Sequence, residues 1–112
     1  MKTNLTVYQS AELIGWGINP ERASIKMPVD APYWTSGIVL VPVFNIGDLF
    51  AMLPKRINLP GFISPMSVTW YDGYWRVKYA GVLSFEDMEL CDALFRMMIE
   101  LIKNKYVNPS EL

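Results

Sequence analysis

Asp72-Gly73 stands between two runs dense in aromatic and β-branched residues, Met66–Tyr71 and Tyr74–Ala80. Asp-Gly favours the two-residue type I′ turn, whose two central positions both need positive φ. A turn that short leaves no freedom in the pairing: Tyr71 must face Tyr74, Trp70 must face Trp75, Thr69 must face Arg76 and Val68 must face Val77. Side chains alternate along a strand, so the hairpin sorts into two faces. Met66, Val68, Trp70, Trp75, Val77 and Tyr79 share one, and Ser67, Thr69, Tyr71, Tyr74, Arg76 and Lys78 share the other. The first pattern predicts a buried face with the two tryptophans opposed under a covering element. The second predicts a face in water.

A lone hairpin is not stable, so something must cover the apolar face. The C-terminal third supplies it. Ser84, with Asp87 three residues on, predicts a capped helix from Phe85 to about Asn104. Its polar stripe of Glu89, Asp92, Arg96, Glu100 and Lys103 is narrow, and its apolar surface exceeds what one sheet needs. The excess predicts either a central helix or one shared with a protein partner, in the simplest case another copy of the chain. Met88, Phe95, Ile99 and Ile102 are the candidate interface residues.

Upstream, Thr6 and Gln9 form a capping box for a helix over Val7–Trp16, with Val7, Ala11, Ile14 and Ile18 as its buried stripe and Gly17 as its end. Asn19-Pro20 predicts a second, short helix to about Lys26. Residues 28–37 hold two prolines and a glycine and predict a loop. Ile38–Val41 predicts a short strand limited by Pro42, and Asn45 with Asp48 caps a helix over Ile46–Leu53 that Pro54 halts. Residues 55–65 are irregular or hold part of an edge strand. The expectation is one α+β domain over residues 1–112: N-terminal helices, a small antiparallel sheet centred on the 66–80 hairpin, and a long C-terminal helix packed on that sheet.

Composition narrows the chemistry. Ten Lys+Arg against eleven Asp+Glu give a net charge of −1, which provides no bulk attraction to DNA or an anionic membrane. The chain has no histidine, which removes His-based triads and most zinc and iron sites. Its one cysteine, Cys91, lies on the apolar C-terminal helix with no imidazole to activate it, and reads as a buried structural thiol. Glu86, Asp87 and Glu89 cluster where a helix dipole favours acids, and read as caps before they read as metal ligands. The seven glycines form neither phosphate-loop pattern, and Gly15-Trp16-Gly17 ends a helix where such a loop would start one. No run of apolar residues approaches a membrane span, and no signal-peptide stretch follows the N-terminus, so the expected location is cytoplasmic. No catalytic residue, cofactor or metal is expected, and the chain reads as a non-enzyme.

Two kinds of binding remain. Tyr71, Tyr74, Arg76 and Lys78 interleave aromatic and basic groups as binders of single-stranded nucleic acid do. Residues 7–26 have the lengths of a helix-turn-helix, but offer a groove only Arg22 and Lys26. Protein contact is the second kind. Tyr33, Trp34 and Phe62 lie in irregular segments, and aromatic residues there suit interface anchors.

Three stretches, SAELIGWGINPERASIKM (10–27), PVFNIGDLFAMLPK (42–55) and ELCDALFRMMIELIKNKYV (89–107), resemble in order a group of small uncharacterised proteins encoded by prophages and mobile elements of gut Bacteroidetes. The shared features are caps, core positions and helix breakers. The resemblance implies a fold and a setting, an accessory or protein-interaction role in a bacteriophage or mobile element. It carries over no catalytic residue. The alternative function is a nucleic-acid-binding module that uses the exposed hairpin face.

Overall fold

The computed structural model describes residues 1–30 and 37–112. Two of the expected anchors, Tyr33 and Trp34, lie outside the described residues. The fold is α+β, with a long C-terminal helix packed on an antiparallel sheet. In chain order it runs α1 (Val7–Gly15), a 3-10 turn (Pro20–Arg22), β1 (Ile25–Asp30), β2 (Ile38–Val43), α2 (Ile46–Met52), β3 (Arg56–Leu59), β4 (Phe62–Tyr71), β5 (Tyr74–Tyr79), β6 (Leu83–Asp87), α3 (Leu90–Lys103) and a final 3-10 turn (Pro109–Glu111). The strands form a β1–β2 ribbon and a four-stranded sheet in the order β3–β4–β5–β6.

The hairpin has the expected register, from Met66 opposite Tyr79 to Tyr71 opposite Tyr74. Asp72 and Gly73 both take positive φ, 49° and 86°, as the type I′ turn requires. Both expected capping boxes also form: the Thr6 hydroxyl accepts from the Gln9 N–H at 3.0 Å, and the Asn45 side chain accepts from the Asp48 N–H at 2.7 Å. Gly17, at φ 107°, turns the chain out of α1, where a Cβ would meet the Pro109 ring at 3.0 Å.

Three expectations give way. The second helix is a single 3-10 turn, capped by Asn19 as read, after which Ile25, Met27 and Val29 alternate inward on a strand through the first part of the expected loop. Period two wins over a cap that has no apolar stripe to extend. The stripe of α1 is rotated: Ser10 and Leu13 are fully buried, and Ala11 is exposed. Ser10 is buried because its hydroxyl accepts from the Phe44 N–H at 3.1 Å. Third, α3 begins at Leu90. Ser84 does not cap it, because residues 83–87 form β6, with Val77 opposite Phe85 and Trp75 opposite Asp87. The strand completes the hydrogen bonds of β5, which a helix over the same residues would leave open.

The late start of α3 decides where the core lies. Its fourteen residues bury Leu94, Met97, Met98 and Leu101 completely, against a cluster that includes Val77, Tyr79, Leu49, Phe44 and Leu13. Ile99 and Ile102, expected on an open flank, are each only 8% exposed and belong to this core, while Phe95 is half-buried against it. The apolar excess of α3 is therefore used inside the chain: α1 and α2 cover what the sheet does not. The radius of gyration is 15.5 Å, above the ~13 Å of a compact chain of this length. Burial falls along β2 from Val43 at the core to Ile38, so the β1–β2 ribbon leaves the body of the molecule as an arm.

Candidate binding groove

The apolar face of the hairpin is covered only in part. Val77 and Tyr79 lie beneath α3, but Trp70, next to the turn, is 57% exposed. The expectation that both tryptophans are mostly buried fails for Trp70. A helix starting near Phe85 would have reached the hairpin tip, whereas one starting at Leu90 leaves it open. Trp70 and Trp75 still face each other, with ring centroids 5.2 Å apart and planes tilted by 60°, a geometry that favours the ring edges and faces. Met88 and Glu89, which link β6 to α3, form the opposite wall. With Met1 they close an open groove of about 590 Å³ around the two indoles. Met88 is 68% exposed, so of the four residues expected at an interface it alone is on the open surface, and it stands before the helix.

The groove rests on a polar clamp. The Asp87 carboxylate accepts from the Glu89 N–H at 2.8 Å, which orders the start of α3. Glu89 in turn accepts from the Lys2 N–H at 2.9 Å. The Lys2 ammonium donates to Asp92 at 2.6 Å and to Gln9 at 2.8 Å, and the Gln9 amide donates to Asp92 at 2.9 Å. Gln9 thus serves the α1 capping box and the start of α3 together. Burial alone would raise the pKa of Asp92. The hydrogen bonds from Gln9 and Lys2 and the charge of Lys2 outweigh it, and hold the carboxyl below its ordinary value. A lowered folded-state pKa adds stability that is complete above the ordinary carboxylate value and is lost as pH falls through the lowered one. Thermal midpoints measured against pH should therefore show the parent chain ahead of Asp92→Asn at neutral pH, with the gap closing in acid. A gap independent of pH would show that the clamp does not act through charge.

The opposite face carries the other sequence candidates. Tyr71 and Tyr74 are exposed, Lys78 is exposed and Arg76 is half-buried. The structure brings all four onto one face, as the register requires. It also supplies a partner that the sequence reading did not include. Glu86, on β6 opposite Arg76, accepts from the Arg76 Nε at 2.7 Å, and the guanidinium lies 5.8 Å from the Tyr71 ring. Of the two hairpin cations Arg76 is thus paired with an acid, while exposed Arg56 of β3, opposite Pro65, shares this face with Lys78. Phe62 is exposed in part and lies against Gly81, away from the groove.

Cys91 is fully buried, and burial, with Asp92 and Glu89 adding to it against Lys2, raises its thiol pKa to about 11. A thiol held so high has little nucleophilic character at neutral pH. Among the described residues no group of three or more Cys, Asp or Glu side chains converges as metal ligands would, and no helix is long and apolar enough to cross a membrane. The acids expected to cluster at a helix start instead lie along β6 and its link to α3. Comparison with protein-family models, with curated proteins and with solved structures finds no match.

Proposed function

We propose that the chain is a non-catalytic protein-interaction module whose contact site is the Trp70–Trp75–Met88 groove. One observation carries this reading: the exposed Trp70 indole, its half-buried partner Trp75 and exposed Met88 line one open groove, whose Met88–Glu89 wall is held by a polar clamp. Tryptophan at the centre of an apolar patch is the typical energetic anchor of a protein interface, and methionine adapts to the shape of what docks. The resemblance noted above adds a setting to the proposal: a cytoplasmic accessory protein of a bacteriophage or mobile element.

A photo-reactive amino acid placed at Met88, with one at exposed Ala51 as control, tests the reading in producing cells. A discrete protein adduct from position 88 and none from 51 is the expected result. With the adduct partner purified, Trp75→Ala should weaken binding by about thirtyfold or more, the effect of losing an interface anchor. Equal labelling at both positions would overturn the proposal. Single-stranded nucleic acid on the Tyr71–Tyr74 face is the competing reading. Micromolar binding of a short oligonucleotide, abolished by Tyr74→Ala, would replace the first reading with that one.

A further inference from the structure

The register of the β1–β2 arm sorts its side chains into two faces. Ile25, Met27 and Val29 of β1 pair with Val43, Val41 and Val39 of β2 and share one. Lys26, Pro28 and Asp30 pair with Pro42, Leu40 and Ile38 and share the other. The first face is buried or half-buried except at Val39. The second is open. Ile38 and Leu40 are 69% and 62% exposed, Lys26, Pro28 and Asp30 are exposed, and only Pro42, at the root of the arm, is half-buried. Four apolar side chains thus stand together, with Lys26 at the root end and Asp30 at the outer end. A two-stranded ribbon is marginal by itself and gains from a further layer on an apolar face.

Growth along the edges of the arm is obstructed. Proline has no N–H, so in a ladder it stands where its nitrogen faces outward. Pro28 takes the middle outward position of β1, and Pro42 takes the outward position at the root of β2. A strand laid on β1 would lack its central donor, and one laid on β2 would find outward donors only at Ile38 and Leu40.

We propose that the open face stacks on the same face of a second copy, about a two-fold axis that crosses the strands at the level of Pro28 and Leu40. Charge selects this occupant. A two-fold contact needs a patch that is its own complement. Lys26 and Asp30 provide one, since they carry opposite charges two residues to either side of Pro28. Stacked sheets lie about 10 Å apart, a gap that a lysine and an aspartate facing each other can bridge. Lys26 of each copy then stands over Asp30 of the other, Ile38 meets Pro42, and Leu40 meets its own counterpart. The other face-to-face two-fold, along the strands, sets Lys26 over Pro42 and Asp30 over Ile38, with each charge on an apolar side chain. The inference rests on the arm and stands whether or not the groove binds a further protein.

Sedimentation of the full chain should show the mass rise with concentration from 12.8 kDa toward twice that value. Lys26→Asp sets acid against acid at both ends of the contact, and Asp30→Lys sets cation against cation. Each should weaken association by about tenfold or more. An equal mixture of the two should recover it, because the mixed pair has opposite charges at both ends, a recovery that a folding defect could not produce. Trp70→Ala, in the groove, should leave association unchanged. The proposal would be overturned by a parent chain that stays monomeric to millimolar concentration, by single charge variants that associate like the parent, by a mixture that does not recover, or by association that Trp70→Ala removes.

Discussion

Tyr79→Ala should lower the free energy of unfolding by about 3–5 kcal/mol, the cost of emptying a buried aromatic site. Tyr79 is fully buried under α3, and its hydroxyl donates to the Pro54 carbonyl at 2.6 Å. The bond ties the end of α2 to the middle of the sheet, and burial holds the phenol well above its ordinary pKa, so it remains a donor at all working pH. Urea denaturation of Tyr79→Ala and Tyr79→Phe separates ring from hydroxyl: the second should cost about 1 kcal/mol, one hydrogen bond. Trp70→Ala provides the contrast. With more than half its surface in water, Trp70 should contribute about 1 kcal/mol or less. Equal losses at Tyr79 and Trp70 would mean that α3 covers the hairpin tip after all.

Asp48→Ala should cost about 2–4 kcal/mol, because its carboxylate serves three donors and their loss leaves amides without partners. Asp48 is buried at the first turn of α2. It accepts from the Ser24 N–H at 2.8 Å, from the Ser24 hydroxyl and from the Asn45 N–H at 3.0 Å. Ser24 is the last residue before β1, so this carboxylate holds the root of the arm to the body. Hydrogen exchange should report the loss first at the amides of Ser24 and Asn45. Uniform loss of protection across the sheet, with these two unchanged, would contradict that role.

The hairpin was legible because a two-residue turn ties register to a local signal, and both capping boxes because each is complete within four residues. What failed was where elements end against distant neighbours. Ser84 with Asp87 has the spacing of a cap, and only the open hydrogen bonds of β5 make residues 83–87 a strand. Alternation in Leu83, Phe85 and Asp87 was present but short. Ile99 and Ile102 looked surplus because the sheet alone was counted as cover for α3, and α1 and α2 were not. The groove was half legible. The turn pairs its tryptophans, but the exposure of Trp70 depends on α3 starting five residues later, at Leu90 and not at Phe85. Glu86 opposite Arg76 was hidden for the same reason, since it needs β6 to exist.

The clamp at the start of α3 joins residues 87 and 90 positions apart, Lys2 to Glu89 and Lys2 to Asp92. On the ribosome this has a consequence for timing. At about 5–20 residues per second, the N-terminal helix waits several seconds for the segment that buries it. Leu13, Phe44 and Leu49 meet α3 only after that helix has been made, so the core closes late and in one step. The hairpin, built from neighbours in sequence, can form well before then. During that interval its whole apolar face is uncovered, Val77 and Tyr79 included. Slowing translation downstream of Ala80 should therefore lengthen the period in which the nascent chain is a chaperone client, and a chain released before α3 is complete should be degraded rather than folded.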